Sequence, residues 1–293
     1  MKNKVSVVIP VYNGEKTLRQ CLSSLLNQTF RKYEIIVVDN NSKDRTPLIL
    51  NEYQDNSKIP FQVIFEPYLS RSTARNAGIK AAKGNIIICS DCDCIFPDDW
   101  IEKLTEPIRK EKEMAVQGGE EPAIVNFWTK QYQISFDNDS KELRKGNVNY
   151  IDTKNFAVLK KVLLNLRDKF GIFNPKMIYS DDLEFGMRFF AKGFKVKYLP
   201  ECGVKHYHPD SLIKVIRGNF WKGYYTASIY SKIKKQDNLA NAPVFSANNN
   251  FISSFLPWEA CSRIYNKKSF SRLIYSLIQS ASEKIGMVLA HII

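Results

Sequence analysis

The 293-residue sequence lacks several features that define common protein classes. It contains no uninterrupted run of about 18 to 20 apolar residues, so a membrane-spanning helix is not expected. No cleavable secretion signal opens the chain, because its first apolar run, Val5–Val11, is short and is interrupted by Pro10. The six cysteines form no secreted-domain framework in a chain of this length, so we expect reduced thiols in a cytoplasmic protein.

Glycine-rich phosphate-binding loops are also missing. The sequence contains neither Gly-x-Gly-x-x-Gly nor a Walker lysine loop. A sugar-1-phosphate nucleotidyltransferase would carry such a loop after its first strand, where only Gly14 is found. Repeats and low-complexity stretches are absent too, so residues 1 to about 210 are expected to fold as one unit.

The charge balance favours an acidic partner. Lysine and arginine number 43 against 30 aspartate and glutamate residues, which gives a formal net charge of +13. Nucleic acid, anionic lipid and phosphorylated substrates would all suit such a surface. Lysines such as Lys232, Lys234 and Lys235 form only short runs without interleaved aromatic residues, so we predict no nucleic-acid partner.

The first hundred residues alternate apolar and amphipathic segments, the pattern of a parallel sheet covered by helices. The apolar runs are continuous rather than alternating, which indicates strands buried on both faces. A helix is predicted over 71–83, ended by Gly84. The predicted strands are Val5–Val11, 34–39, Phe61–Phe65 and 85–90.

The pattern is less regular after Asp93. Residues 126–145 are polar and aromatic and fit no element clearly. Further helices are predicted over 97–110, 159–167 and 182–192, and further strands over 114–117 and 195–199.

A helical apolar stripe occupies Phe270–Ile292, with Arg263, Lys267, Lys268 and Arg272 at or before its start. Such a stripe can lie on an anionic membrane surface, where each basic residue adds about 1 kcal/mol. It can equally pack against the rest of the chain or against a second subunit. The sequence leaves these three arrangements open.

Three polar segments, 12–15, 39–44 and 91–93, follow predicted strands. They would meet at the carboxyl edge of the sheet, where ligands bind in α/β folds. Asp91 and Asp93 flank Cys92, so in an extended backbone both carboxylates point the same way. Paired carboxylates suit Mg²⁺ or Mn²⁺, although an acidic turn that caps the backbone would use the same residues.

Cys89, Cys92 and Cys94 surround the acidic pair and could suggest zinc. No second Cys-x-x-Cys is present, and strand alternation turns Cys92 and Cys94 away from the acidic face. We interpret these cysteines as small buried hydrophobic residues.

Four blocks at this edge resemble one known family. Their sequences are Pro10-Val11-Tyr12-Asn13, Val38-Asp39-Asn40-Asn41-Ser42-Lys43-Asp44, Ala74-Arg75-Asn76-Ala77-Gly78 and Asp91-Cys92-Asp93. In this order and spacing they resemble the inverting glycosyltransferases of family 2, in particular bacterial and archaeal enzymes of lipopolysaccharide and exopolysaccharide type. The resemblance covers about 210 residues. It implies the GT-A fold, an α/β fold with a mixed, mostly parallel sheet flanked by helices, here with a helical C-terminal appendage.

The resemblance also assigns roles to residues. It implies a nucleoside-diphosphate sugar donor of the UDP, GDP or dTDP type, and a glycan or lipid-linked glycan as acceptor. Residues 1–95 would bind the donor, 96–210 would bind the acceptor and carry the catalytic base, and 211–293 would form a helical region that could contact the inner face of the cell membrane. The implied donor-binding residues are Pro10, Val11, Tyr12, Glu15, Asp39, Arg75, Asp91 and Asp93.

A fifth block, 181–188, resembles the segment that carries the catalytic base of this family. Asp181 with Glu184 three residues later fits a capping box, in which Asp181 would bond to backbone amides. That leaves Asp182 as the free carboxylate, and it also matches the family's base position. A purely structural helix start is the alternative.

The implied cofactor is Mn²⁺ or Mg²⁺, with Asp91, Asp93 and His206 as ligands. His206 and His208 follow a predicted strand and share one face. The family often places a histidine ligand here, and His208 is the alternative to His206. The sequence therefore predicts a metal-dependent inverting glycosyltransferase. A catalytically silent protein that binds a nucleotide or a glycan is the rival interpretation.

Overall fold

A computed structural model describes residues 4–144, 150–177, 180–233 and 270–292 of the chain. These residues form a mixed sheet covered by helices and followed by two long helices. The strands are β1 (Val5–Val11), β2 (Tyr33–Asp39), β3 (Phe61–Phe65), β4 (Ile86–Ser90), β5 (Cys94–Ile95), β6 (Ala115–Pro122), β7 (Asn155–Leu159) and β8 (Lys197–His206). The helices are α1 (Leu18–Leu26), α2 (Thr46–Asn56), α3 (Arg71–Ala81), α4 (Trp100–Arg109), α5 (Phe127–Arg144), α6 (Lys160–Leu166), α7 (Asp181–Ala191), α8 (Leu212–Ile233) and α9 (Phe270–Ile292).

Strands β3, β2, β1 and β4 lie side by side and run parallel. Every residue of β1, β2 and β4 is buried, as their continuous apolarity predicts. Helices α1, α2 and α4 contribute to the apolar core on one face of the sheet, and α3, α6 and α7 to the core on the other. Val11 pairs with Asp39, which brings the loops after β1 and β2 to the same edge.

The other half of the sheet is mixed. Strand β7 runs antiparallel to β4 and β6, and β8 is parallel to β6. The short strand β5 pairs with the end of β8, so Cys94 lies opposite His206. Strand β6 reaches the same point, because Pro122 also pairs with His206. Asp93 directly precedes Cys94, and the sheet therefore brings Asp93 beside His206.

Helices α8 and α9 pack against each other at two glycines. A Cβ at Gly223 would lie 2.0 Å from the carbonyl oxygen of Glu283, and one at Gly286 would lie 2.0 Å from that of Phe220. Helix α9 also contacts α5. Of the three arrangements left open for the C-terminal stripe, packing against the rest of the chain is therefore observed. Among the helices in the described ranges, none is long and apolar enough to cross a membrane.

The largest differences from the sequence prediction lie after Asp93. Strand β6 continues past 117, and β8 continues past 199 so that His206 ends the strand instead of following it. Helix α5 occupies most of the stretch that fitted no element, and α2 is not predicted at all. Charged, glycine and proline residues interrupt the apolar pattern of both strands, which hides their length. The basic residues of the sequence analysis that lie outside the described ranges are Lys234, Lys235, Arg263, Lys267 and Lys268.

Candidate active site

The loops after β1 and β2 are bonded to each other. The backbone amide of Asn13 donates to Ser42 Oγ at 2.9 Å, and Asn13 Oδ1 accepts from the amide of Lys43 at 2.8 Å. Asn13 has a φ of 51°, a conformation that asparagine tolerates better than most residues. The Gly14 amide donates to Thr46 Oγ1 at 2.8 Å. These bonds fix the two loops relative to each other at the carboxyl edge of the sheet.

The residues expected to bind the donor nucleoside lie on these two loops. Asp39 is buried and its Oδ1 accepts from the amide of Ser42 at 3.1 Å. Tyr12 is 47% exposed. The Glu15 carboxylate accepts from the amide of Arg45 at 3.2 Å, so it links the loops. Pro10 and Val11 are buried in β1, where their backbone supports the loop that follows.

Asp91 is bonded to two arginines of α3 that also bond to α7. The Arg75 guanidinium is fully buried, donates to Asp91 Oδ1 at 2.7 Å and forms a short bond with Asp181 Oδ2. Arg71 lies 3.1 Å from Asp181 Oδ1 and 3.9 Å from Asp91 Oδ2. Burial alone would raise the pKa of Asp91, but Arg75 and Arg71 outweigh it and lower this pKa. One buried cation, Arg75, and one partly exposed cation, Arg71, therefore join the acidic turn to the helix that carries Asp182.

Asp93 and His206 form the second part of the acidic site. The backbone at Cys92 and Asp93 is a turn, so the expectation of an extended triplet is wrong. Asp93 Oδ1 is buried without a hydrogen-bond partner among the described residues and lies 3.5 Å from His206 Nε2. The Asp93 side chain as a whole is 39% exposed. Burial would lower the pKa of His206, yet Asp93 and Glu120 outweigh it and raise this pKa.

The neighbouring oxygens and nitrogen fit a divalent cation. Asp93 Oδ1 is an acceptor-only atom with no donor, and the imidazole beside it can present a lone pair. Carboxylate and imidazole are both ligands of Mn²⁺-type ions. Asp91 completes the acidic pair but is already compensated by Arg75. The residues present therefore fit a bound cation best at Asp93 and His206.

Asp181 and Asp182 begin α7, but the capping box expected here is not formed. Ser180 precedes the helix with a φ of 62°, and no side chain caps it. The Asp181 carboxylate forms ion pairs with Arg75 and Arg71, and Glu184 forms an ion pair with Arg188. Asp182 is half-buried, and burial followed by the charge of Asp181 raises its pKa to about 6. The conclusion that Asp181 is engaged is therefore right, but the expected partner is wrong.

Two charged residues near His206 are not predicted from the sequence. Glu120 Oε2 lies 2.8 Å from Lys154 Nζ and 3.6 Å from His206 Nδ1. Lys154 also forms a short ion pair with Asp152. Glu120, His206 and His208 place potential ligand atoms within 4.8 Å of one another. Two consecutive glutamates after Gly118 and Gly119 are the sequence signal that could have marked this strand.

The cysteines beside the acidic turn are free thiols. Cys89 and Cys94 are buried and Cys92 is partly buried, which agrees with their interpretation as small hydrophobic residues. Burial raises the pKa of Cys89 to about 12, which favours the protonated thiol. Cys21 and Cys202 are free as well, and Cys261 lies outside the described residues.

Comparison with known proteins relates the chain to sugar-transferring enzymes. A family model described as Glycosyl transferase family 2 matches residues 6–167. Glycosyltransferase AglE of Haloferax volcanii is 30% identical over 200 residues, which cover 66% of this chain and 64% of that protein. The uncharacterized glycosyltransferase MJ1057 of Methanocaldococcus jannaschii is 27% identical over 251 residues, covering 80% of this chain and 81% of that protein. Glycosyltransferase GlyA of Streptococcus pneumoniae is matched over only 15% of its length, so the chain spans less than two thirds of some curated relatives.

Two solved structures share the fold. Mannosyltransferase PcManGT from Pyrobaculum calidifontis, in complex with GDP-Man and Mn²⁺, has a TM-score of 0.73 at 16% identity, covering 99% of this chain and 88% of that chain. The 1–349 fragment of S. aureus TarS, in complex with UDP-GlcNAc, has a TM-score of 0.58 at 15% identity, covering 96% of this chain and 91% of that chain. At such low identity the likeness establishes the fold alone.

Proposed function

We propose, because the chain belongs to glycosyl transferase family 2 and has the GT-A fold, that it transfers a sugar from a nucleoside-diphosphate sugar to an acceptor hydroxyl with inversion at the anomeric carbon. One observation carries the proposal. The loop of Asp39 and the pair of Asp93 and His206 lie at the same edge of the sheet. Arg75 forms ion pairs with both Asp91 and Asp181, and so joins the start of the helix that carries Asp182 to this edge. Such a site contains a group for each part of the reaction.

Residues 1–95 are proposed to bind the donor. Asp39 can accept hydrogen bonds from the base or the ribose, as an acidic residue at the end of a second strand does in dinucleotide folds. Tyr12 is exposed on the neighbouring loop, and Glu15 links the two loops. The two solved relatives bind GDP-Man and UDP-GlcNAc, which supports a donor of the UDP, GDP or dTDP type.

The cation site is proposed at Asp93 and His206, with Asp91 beside it. Mn²⁺ or Mg²⁺ bound there would supply positive charge against the departing nucleoside diphosphate. Asp93 offers the unpartnered oxygen and His206 the nitrogen 3.5 Å away. Arg75 supports the site indirectly, because its ion pair orients Asp91 and compensates the charge of that carboxylate.

Asp182 is the proposed general base. A carboxylate with a pKa near 6 is ionised at neutral pH and is more basic than an ordinary aspartate. It would accept the proton of the acceptor hydroxyl while that oxygen attacks the anomeric carbon from the face opposite the leaving group. Asp181 cannot compete for the role, since Arg71 and Arg75 occupy both of its oxygens.

The acceptor side is proposed to face a lipid surface. An apolar patch combines the loop after β6 with the start of α8, which Asn126 Nδ2 joins by a bond of 2.9 Å to the carbonyl of Asp210. The exposed cations Lys214 and Arg217 lie at the start of α8, where Lys214 pairs with Asp210 at 2.8 Å. Apolar area rimmed by cations suits anionic lipid and a glycan or lipid-linked glycan acceptor. The exposed residues of the patch are Ile124, Val125, Phe127, Leu212, Ile213 and Ile216.

The donor proposal is tested by thermal shift with UDP, GDP and dTDP, each with and without Mn²⁺. A ligand that binds the folded state raises Tm. We expect one nucleotide to raise Tm, and Mn²⁺ to increase that shift. The variant Asp93→Asn should lose the Mn²⁺-dependent part of the shift, whereas Asp98→Asn, an exposed residue outside the site, should keep it. No shift with any of the nucleotides would contradict the proposal.

A further inference from the structure

We infer that Gln133 and His208 form a hydrogen-bond chain that fixes His206 in the tautomer whose Nε2 lone pair faces Asp93. The inference deepens the proposed function, since it takes Asp93 and His206 as the cation site. It adds two positioning residues, one on α5 and one after β8, that sequence and family resemblance leave without this role. It also decides between the two histidines: His206 faces the cation, and His208 holds it in place.

The chain begins at Gln133, whose amide can be oriented in one way only. Its Nε2 donates to the backbone carbonyl of Glu120 at 3.0 Å and to Asp137 Oδ1 at 2.9 Å. Both partners are acceptors, so the amide nitrogen of Gln133, and not its oxygen, must face them. The amide oxygen Oε1 of Gln133 therefore faces His208, at 2.8 Å from its Nε2. A carbonyl oxygen cannot donate, and hence His208 Nε2 must carry a hydrogen.

The orientation of Gln133 determines the tautomer of His208. A neutral imidazole that is protonated at Nε2 has a lone pair at Nδ1. His208 Nδ1 lies 2.9 Å from His206 Nδ1, a hydrogen-bond distance at which one of the two nitrogens must donate. The donor is therefore His206 Nδ1. Glu120 Oε2 lies 3.6 Å from the same nitrogen of His206.

The hydrogen on Nδ1 of His206 determines the state of its other ring nitrogen, Nε2. With Nδ1 protonated, a neutral His206 has its lone pair at Nε2, which faces Asp93 Oδ1 at 3.5 Å. Histidines that bind metals commonly donate their other N–H to a fixed partner, which sets both the tautomer and the ring orientation. Here that partner is a second histidine, held by Gln133 and stacked on Tyr132 with ring centroids 4.5 Å apart.

A separate cation held by Glu120, His206 and His208 is the competing interpretation of the same cluster. Lys154 argues against it, because its ammonium lies 2.8 Å from Glu120 Oε2 and already compensates that carboxylate. A cation placed there would also need both facing nitrogens unprotonated, so the 2.9 Å hydrogen bond between the two Nδ1 atoms would be lost. Asp93→Asn separates the two interpretations, because it removes a ligand of the proposed site and none of the Glu120, His206 and His208 cluster.

The tautomers can be read directly by ¹⁵N NMR of protein labelled at histidine. The chain has three histidines, so single substitutions assign the signals. At alkaline pH without metal, where both rings are neutral, we expect His206 protonated at Nδ1 and His208 protonated at Nε2. His206 protonated at Nε2, or His208 protonated at Nδ1, would overturn the inference. This result does not depend on whether the protein binds a metal or transfers sugar.

Mn²⁺ affinity, measured by electron paramagnetic resonance with the metal alone, tests the consequence. His208→Leu removes the acceptor and should weaken Mn²⁺ binding about 10- to 100-fold. His208→Asn places an amide oxygen near the Nδ1 position and should restore most of the affinity. The matched control is Tyr207→Phe, which changes the residue between the histidines and loses only a bond to Gln20.

The outcomes are distinguishable. Unchanged affinity in His208→Leu, or two Mn²⁺ ions bound per chain, overturns the inference. If the wild-type protein binds no Mn²⁺, the proposed metal dependence fails, and the NMR tautomers alone then decide the inference. If His208→Leu does not fold, Gln133→Met removes the other end of the chain and should release His208 from its Nε2-protonated form.

Discussion

Asp181 and Asp182 are neighbours in sequence, yet their side chains have different partners. Asp181 is completely buried between Arg71 and Arg75. Asp182 is half-buried, and its Oδ1 accepts from the amide of Leu183 at 2.8 Å. Burial and the charge of Asp181 raise the pKa of Asp182 to about 6. The arginine cluster thus makes Asp181 structural and leaves Asp182 available for proton transfer.

Asp182→Asn should abolish most sugar transfer while donor binding is retained. A positioned base contributes about 10²- to 10⁴-fold to rate, and an amide cannot take its place. We therefore expect kcat to fall by that range with little change in nucleotide-dependent Tm shift. Glu201→Gln removes the same charge from an exposed position and should leave kcat unchanged. Turnover by Asp182→Asn at the wild-type rate would end the assignment of the base.

The pH dependence of kcat/KM should report the same group, because that ratio follows the ionisation of the free enzyme. Because the pKa of Asp182 is raised to about 6, the carboxyl is protonated below that pH and cannot accept a proton. Activity should therefore rise as the pH increases through about 6. Asp181→Asn removes the second cause of the raised pKa, so the rise should move to lower pH. A profile of kcat/KM that is flat between about pH 5 and 7 would contradict the role of Asp182.

Sequence reasoning finds residues whose neighbours are close in sequence and misses those whose partners are remote. The acidic turn, Asp182 and His206 follow from local motifs. The burial of Arg75 does not, because its partner Asp181 is 106 residues away. Glu120 and Lys154 are missed for the same reason, since each is explained only by the other across the pairing of β6 with β7. Donor binding by Arg75 stays a prediction, while its buried bonds to Asp91 and Asp181 are what the sequence could not indicate.

At the scale of elements, the periodic segments are predicted well and the polar strands are not. Strand β1 matches its predicted bounds because every residue is buried. Strand β8 is predicted for only part of its length, because Pro200, Glu201 and Lys205 break the apolar run while exposed. Parallel pairing with β6 and antiparallel pairing with β5 hold it in the sheet, and such pairing is not visible in sequence.

The contact between α8 and α9 should depend on its glycines. Gly223→Ala would place a methyl group 2.0 Å from the Glu283 carbonyl oxygen, so the helices must move apart. We expect a loss of about 1–3 kcal/mol in the free energy of unfolding, measured with urea. Gly218→Ala is the matched control on the same helix, because no atom of the described residues lies within 4 Å of its added Cβ. Helix propensity predicts a gain of about 0.5–1 kcal/mol there. Equal stabilisation by both changes would mean that the two helices do not pack in this way.

At the scale of the whole molecule, the family and the GT-A fold that the sequence predicted are confirmed. Both predictions rest on several motifs that meet at the edge of the sheet. The acidic turn 91–93 alone would not have identified the family or the fold. The acceptor surface proposed above carries no motif, so the sequence could not indicate it. The position of α9 could not be derived either: an apolar stripe fits a membrane and a helix partner equally well.

Binding to a lipid surface should follow the apolar patch on the loop after β6 and the start of α8. Ile213 is 77% exposed there, and Lys214 and Arg217 flank it. Ile213→Asp removes burial worth about 1.5–3 kcal/mol, so sedimentation with phosphatidylglycerol vesicles should weaken about tenfold or more. Leu48→Asp makes the corresponding change on α2, where the side chain is 69% exposed, and should bind as wild type. Added salt and neutral vesicles should both weaken binding, because the cations contribute only against anionic headgroups. If Ile213→Asp and Leu48→Asp bind alike, the patch does not face the membrane.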